Sequence, residues 1–239
     1  MGRFLTFAVI CLILFLGVTV FFRVGVIDVE GETRYTAAEV IEASGIAFGD
    51  HLFFVNDEAA DRAIRSSLPY IGRVEVRRHF PNRLTVTVAE TLPVARLQTA
   101  DGYLILDRDA KVLEIAATVP LVRLIEVIGM PMPISSEVGE ILAPGEEDAD
   151  KLRYLQDILG TVSTLGIAND VSRIDMTDLY DPVMLYYNGR FLVRLGPNRN
   201  LHHKMNMLVS ILPTMDEHDT GTIDLSLEQP SFRYHVIAD

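Results

Sequence analysis

Residues 73–95 read RVEVRRHFPNRLTVTVAETLPVA, and the parity of this stretch decides the fold around it. Val74, Val76, Phe80, Leu84, Val86 and Val88 fall on even positions, whereas Arg73, Glu75, Arg77, Arg83, Thr85 and Thr87 are odd. A period of two marks strands with one apolar and one solvated face. Phe80, Pro81 and Asn82 interrupt the alternation as a turn, so the stretch is a pair of adjacent strands. It also poses a problem of charge: four Arg against one Glu between Arg73 and Arg83 give a local +3, in a chain with 33 Asp and Glu against 21 Lys and Arg.

Upstream of the pair, VGVIDVEG at Val24–Gly31 is rich in β-branched residues and closes on glycine, a strand and a turn. TAAEVIEASGI follows, with Thr36 as N-cap, Glu39 completing a capping box and a stop near Gly45. A second helix spans Asn56 to Leu68, capped by Asn56 or Asp57, with Ala60, Ala63, Ile64 and Ser67 on one face and Pro69 beyond its end. Residues 24–91 therefore read as a β-α-α-β-β module, a three-stranded sheet covered on one side by two helices.

The bulk numbers restrict the function classes. With 239 residues, 49% of them hydrophobic, the chain has ample material for one large or two ordinary cores. A formal charge of −12 argues against general nucleic-acid binding, which needs clustered Lys and Arg to release counterions. Cys11 is the single cysteine, so neither an intrachain disulfide nor a Cys-based zinc site is available.

Phe4 to Phe22 is free of charge and bracketed by Arg3 and Arg23. Nineteen helical residues at ~1.5 Å each reach roughly 28 Å, the thickness of a bilayer's hydrocarbon core. Each central Leu, Ile, Phe or Val favours insertion by about 0.3–0.6 kcal/mol. The run is expected to be a retained transmembrane helix over 4–22 rather than a cleaved signal, because it is long and VTVFFRVGV offers no small-x-small cleavage site. Arg3 faces Arg23 and Arg34 across the span, so charge alone barely orients it. With residues 1–3 as a short N-terminus in the cytoplasm, the folded part is expected outside, and without Arg3 and Arg23 it holds 19 basic against 33 acidic residues, about −14.

Residues 92–239 change texture to short strands: Val94–Gln98, Tyr103–Asp107, Lys111–Ile115 and Leu121–Val127, with a turn at Asp107–Ala110. Leu152, Leu155, Ile158, Leu159, Val162 and Leu165 recur at helical spacing after Glu146, Glu147 and Asp148, acids suited to a helix start. VSRIDM and PVMLYYNGRFLVRLG are strands, the latter folded at Asn188-Gly189. A last helix runs from Asn200 to Leu212, and GTIDLSLEQPSFRYHVIAD closes the chain as one or two strands with Pro230 between them. The fold class is α+β: a transmembrane helix, the small module, then a mixed, mainly antiparallel β domain with two helices.

Motifs for chemistry are sparse. There is no glycine-rich phosphate loop, no G-x-S-x-G and no H-E-x-x-H. His202 and His203 are adjacent on a helix and diverge, poor geometry for one metal. Asp216–Asp219 reads as a solvated turn, and Asp101, Asp107 and Asp109 are explained by turn positions. No catalytic residue, metal site or cofactor is expected, and function should be binding rather than catalysis.

The order of parts resembles the FtsQ/DivIB cell-division family. The small module looks like that family's POTRA domain through VIDVEG at Val26–Gly31, GDHLFFVN at Gly49–Asn56, the stretch Leu68–Ala95 and YLILDRDAKVLE at Tyr103–Glu114. GTIDLSL at Gly221–Leu227 is similar to a strand near the end of the family's β domain. Ala110 stands where the family often has Gly in the turn after Asp107.

The resemblance implies a non-enzymatic divisome scaffold, single-pass in the bacterial cytoplasmic membrane at the septum. Such a scaffold binds FtsB/DivIC-like and FtsL-like proteins, takes no small-molecule substrate or nucleic acid, and helps regulate septal wall synthesis. It also implies a partner segment adding as a further strand along Ile223, Asp224, Leu225, Ser226, Leu227, Glu228 and Gln229, with Phe232 and Tyr234 beyond. The alternative reading is a POTRA-containing periplasmic or secreted protein-binding or translocation module. Arg73, Arg77 and Arg83, on the polar side of the two strands, are expected to form with Arg78, which sits by the turn, a secondary docking face for an acidic partner.

Overall fold

The computed structural model describes residues 6, 9, 10, 17, 21–131, 137–216, 218–227 and 231–234. Of the apolar run expected to span a membrane, it describes Thr6, Val9, Ile10, Gly17, Phe21 and Phe22; the rest lies outside the described residues. Among the described residues no helix is long and apolar enough to cross a membrane. The chain divides into two compact units, Met1–Thr91 and Leu92–Asp239.

In the first unit the strands are β1 (Val26–Glu30), β2 (Ile71–His79) and β3 (Arg83–Glu90), ordered β1-β3-β2. β3 is central, parallel to β1 and antiparallel to β2. Two helices intervene, α1 (Ala37–Ser44) and α2 (Asp57–Ser67). The capping box forms as the sequence indicates: the Thr36 hydroxyl accepts from the Glu39 amide at 3.3 Å, and the Glu39 carboxylate accepts from the Thr36 amide at 2.7 Å. The Thr36 hydroxyl also donates to that carboxylate at 2.7 Å, and this bond first, then the one from the Thr36 amide, holds the exposed Glu39 carboxyl below its ordinary pKa. At the other end Gly45 takes the left-handed conformation that a side chain would resist. Asn56 caps α2 through the Ala59 amide.

Parity decides the core. Leu84, Val86 and Val88 are buried against Val40, Ala60 and Ile64 of the helices. Across the strands, Val74 pairs with Val88 and Val76 with Val86. Two residues depart from the pattern. Thr85 is buried although odd, because the central strand is flanked there by Asp28 on one side and Arg77 on the other. Phe80 is exposed although even, because it belongs to the turn.

Among its described residues the second unit holds nine strands: β4 (Ala95–Thr99), β5 (Gly102–Leu106), β6 (Val112–Ala116), β7 (Ile125–Ile128), β8 (Val171–Asp175), β9 (Val183–Tyr186), β10 (Phe191–Arg194), β11 (Gly221–Asp224) and β12 (Ser231–Tyr234). They form one sheet in the order β12-β11-β10-β9-β8-β7-β4-β5-β6. The pairs β4/β7, β7/β8 and β10/β11 are parallel and the others antiparallel. Its two helices are the crossovers that two of these parallel pairs need: α3 (Ala149–Thr164) joins β7 to β8, and α4 (Leu201–Ile211) joins β10 to β11. Tyr154, Leu155, Ile158, Leu159 and Val162 of α3 and Leu201, Met205 and Leu208 of α4 are buried in one core with the sheet.

Candidate partner-binding edge

β12 is the outermost strand, and its hydrogen-bond phase follows from its neighbours. The amides of Gly221 and Leu225 donate to the carbonyls of Arg190 and Arg194, at 3.2 and 2.9 Å, so the odd residues of β11 direct their backbone groups toward β10. The even residues Thr222 and Asp224 therefore face β12, where they stand opposite Arg233 and Ser231. It follows that Phe232 and Tyr234 direct their backbone N–H and C=O groups to the outer side of the sheet. No described strand pairs with that side.

This geometry corrects part of the expected site. Ile223 and Asp224 lie one strand in from the edge, paired on both sides, and Ile223 and Leu225 are buried. They support the edge but do not form it, because a strand added to the sheet meets β12 first. Ser226 is half-buried and Leu227 exposed, just past β11. Glu228 and Gln229 lie outside the described residues.

Behind the edge sits an ionic cluster that the linear pattern did not reveal, since its members are far apart in sequence. The Arg194 guanidinium donates to Asp181 and reaches Asp224 at 3.4 Å. Asp181 also accepts from the Gly196 amide at 3.2 Å. Burial alone would raise the Asp224 carboxyl. The Ser226 hydroxyl and amide, at 2.5 and 2.9 Å, together with Arg194 and Arg233, outweigh it and hold the group below the ordinary range. Lys204 donates to the carbonyls of Leu195 and Pro197, and burial lowers its ammonium pKa against the pull of Asp181 and Asp224. The Tyr154 hydroxyl donates to the Gly196 carbonyl at 2.7 Å, and burial raises its pKa above the ordinary value. The segment between β10 and α4 is thus fixed from three directions. Beside it a cleft of about 370 Å³ opens between the start of α4, at Asn200, His203 and Met207, and the exit of β11 at Ser226 and Leu227.

The basic run is less positive in space than in sequence. Arg77 pairs with Glu75 at 2.8 Å and Arg83 with Asp28 at 2.7 Å, on the solvated side with Arg73. Arg78 does not share that face. It stands opposite Leu84 on the helix side, donating to the Leu52 and Val55 carbonyls and to both oxygens of Asp57. Its role is to staple α2 and the turn before it to the sheet, which removes it from the expected docking face.

The weak chemical candidates resolve into local structure. Asp107 accepts through Oδ1 from the amides of Asp109 and Lys111, closing the turn that carries Ala110 at φ 58°. The Asp216 amide donates to the Asp219 side chain, a turn that Arg190 clasps through the backbone carbonyls of both residues. His202 and His203 are exposed on α4. Among the described residues no three His, Cys, Asp or Glu side chains converge on a metal position.

Residues 22–91 match the family model described as POTRA domain, FtsQ-type, and residues 95–226 match that of cell division protein FtsQ/DivIB, C-terminal. A three-stranded POTRA module followed by a mixed β domain is the class these folds define. Cell division protein FtsQ of Corynebacterium glutamicum is 29% identical over 208 residues, covering 85% of this chain and 86% of that protein. DivIB of Clostridium botulinum strain Hall is 25% identical over 210 residues, 87% of this chain and 80% of that protein. FtsQ of Streptomyces coelicolor is 30% identical over 193 residues, 78% and 69%. The chain belongs to the FtsQ/DivIB family of cell-division proteins. The second matched range ends at residue 226, before β12.

Proposed function

We propose that this chain is a non-catalytic scaffold of the bacterial division machinery, anchored in the cytoplasmic membrane by residues 4–22, with its N-terminus cytoplasmic and both folded units extracytoplasmic. At the septum it binds FtsB/DivIC-like and FtsL-like proteins by accepting a partner strand on the outer side of β12, and so helps regulate septal wall synthesis. The observation that carries this reading is the hydrogen-bond phase of β12, which leaves the backbone groups of Phe232 and Tyr234 directed away from the sheet. Comparison with the outer strands β6 and β2 favours the same strand. β6 is partly covered, since Val112 exchanges hydrogen bonds with Gly139 and Glu140. β2 is guarded by Arg73, Glu75, Arg77 and Arg78, charges that discourage pairing. β12, by contrast, holds one charge, Arg233. The cleft at Ser226 and Leu227 offers a place for a partner side chain next to the edge. Arg73, Arg77 and Arg83 remain as a secondary docking face for an acidic partner.

The test separates backbone from side chain at one position. Full-length protein carrying an N-terminal tag is purified from membranes with its partners, as Phe232→Ala and as Phe232→Pro. Both variants lose the ring, but only proline removes the outward N–H and places its own ring on the edge. Partner recovery with Phe232→Pro should fall about tenfold below Phe232→Ala, the equivalent of one strand hydrogen bond and its geometry. Equal recovery of the two variants rules out strand addition on this edge.

A further inference from the structure

Three segments of the first unit meet where the chain enters it. The Phe22 carbonyl accepts from the Leu52 amide at 2.9 Å, the Val24 amide donates to Asp50 at 2.8 Å, and the Val24 carbonyl accepts from Gly49 at 2.8 Å. Arg23 forms a bridge with His51. On the other side the Gly25 amide donates to the Asn82 carbonyl at 2.8 Å. The entry is therefore clamped between the 49–52 loop and the β2–β3 turn, with no slack.

Those same segments carry an aromatic cluster. The Phe53 and Phe80 rings lie 5.2 and 5.7 Å from that of Phe22 and 5.2 Å from each other, and Phe21 is 6.0 Å from Phe22. Phe54 continues it through His51, 5.0 Å away. These rings are outside the unit's core. Phe54 is 82% exposed, Phe21 64%, Phe80 58% and Phe53 51%. Exposed apolar area of this kind, gathered at one end of a domain, marks a surface that meets something apolar.

Its position says what. The cluster begins at the last residues of the uncharged run Phe4–Phe22, and Val24, two residues further on, is already buried in the core. Two residues reach about 7 Å, and the interfacial layer on each side of a bilayer's hydrocarbon core is roughly 5–8 Å deep. A clamped entry of that length cannot lift the rings clear of the layer. We propose that the aromatic end formed by Phe21, Phe53, Phe54 and Phe80 is seated in the outer interface of the membrane and fixes the orientation of the first unit on the bilayer. The inference rests on the membrane anchor at residues 4–22. It adds a second contact, made by loops distant from the anchor in sequence, that holds a folded module at a set tilt instead of leaving it to swivel.

The chain contains no Trp, so a single introduced indole reports position directly. Full-length Phe54→Trp and Glu32→Trp are reconstituted in phosphatidylcholine vesicles with and without lipids brominated on the acyl chain near the headgroup. Glu32 is exposed just past the far end of β1, about 17 Å along the strand from the clamped entry. The Phe54→Trp protein should emit at shorter wavelength than the Glu32→Trp protein and be quenched by the brominated lipid, while the Glu32→Trp protein is not. If the chain resists alkaline extraction but the Phe54→Trp emission is unquenched, the seating is wrong and the anchor stands. If alkali releases the chain, the anchor falls and the seating with it. A blue-shifted Phe54→Trp emission that is unquenched and reverts on dilution in lipid means that a second copy covers the rings, which also overturns the proposal.

Discussion

Arg77 and Arg78 are neighbours in sequence and opposites in energetics. Arg77 pairs with Glu75 on an exposed strand face, and the Glu75 carboxylate, first through its hydrogen bond, raises the guanidinium above its ordinary pKa. Exposed pairs of this kind are screened by water and salt and contribute little to stability. Arg78 makes four hydrogen bonds, two to carbonyls and two to Asp57, from a partly desolvated position. Hydrogen bonds to charged groups contribute about 1.5–3 kcal/mol each at best, and removing the guanidinium leaves two carbonyls without a donor. Arg78→Met should therefore cost about 2 kcal/mol, whereas Arg77→Met should leave the unfolding midpoint close to the parent's. Thermal denaturation of the two variants ranks them; equal costs would return Arg78 to the solvated face. Parity carried most of this region from the sequence. It could not assign Arg78, because next to a turn an even position on the sheet's rim can face either the core or its wet margin, and the deciding partner, Asp57, is on another element. Ala110 was legible as a turn position from its place after Asp107, and its φ of 58° is the conformation in which glycine is favoured.

At the scale of elements, strands and helices were legible and their parallel pairings were not. Alternation and turn residues locate β4, β5 and β6, and the Asn188-Gly189 signal locates the β9–β10 hairpin, although its loop is Tyr187 to Arg190, with Tyr187, Asn188 and Gly189 all left-handed. Nothing local says that α3 and α4 are crossovers, because parallel pairing is decided by which apolar faces meet across long separations. The sequence pattern starts β7 at Leu121, whereas the strand begins at Ile125; Pro120 and the exposed Leu121 precede it. The same limit hid the contact between the β10 exit and the β11 end, where Asp224 is held by Ser226 and Arg194. That contact has a pH signature. A carboxyl whose folded pKa lies below its unfolded value, about 3.9 for Asp, stabilises the fold above that unfolded value, and the contribution is lost as pH falls through the folded pKa. Asp224→Asn should lower the urea midpoint at neutral pH, and its deficit relative to the parent should shrink as pH drops below about 4. A deficit constant with pH would mean that shape, not charge, holds the β11 end.

For the whole molecule, the two units are built on cores that share no residue. One gathers Ile64, Leu84, Val86 and Val88; the other gathers the helices α3 and α4 with the nine-stranded sheet. In the sequence the texture changes after Pro93, from paired long strands to short ones. The smaller unit has the weaker ground for stability, because a domain of about 60 residues buries only ~60% of its unfolded surface, against ~70% for one of about 150. Calorimetry should therefore resolve two transitions, with the smaller unit unfolding first. Leu84 is fully buried on the central strand, and its truncation to Ala should cost about 3 kcal/mol. At roughly 4–8 °C per kcal/mol for a domain of this size, Leu84→Ala lowers the first transition by more than about 10 °C and leaves the second in place. Ile158→Ala, buried on α3, should do the converse, with a smaller shift because the larger unit spreads the same loss over a larger unfolding entropy. One transition moved as a whole by either substitution would show that the cores unfold cooperatively, and the boundary at Thr91 would then be one of shape without independent folding.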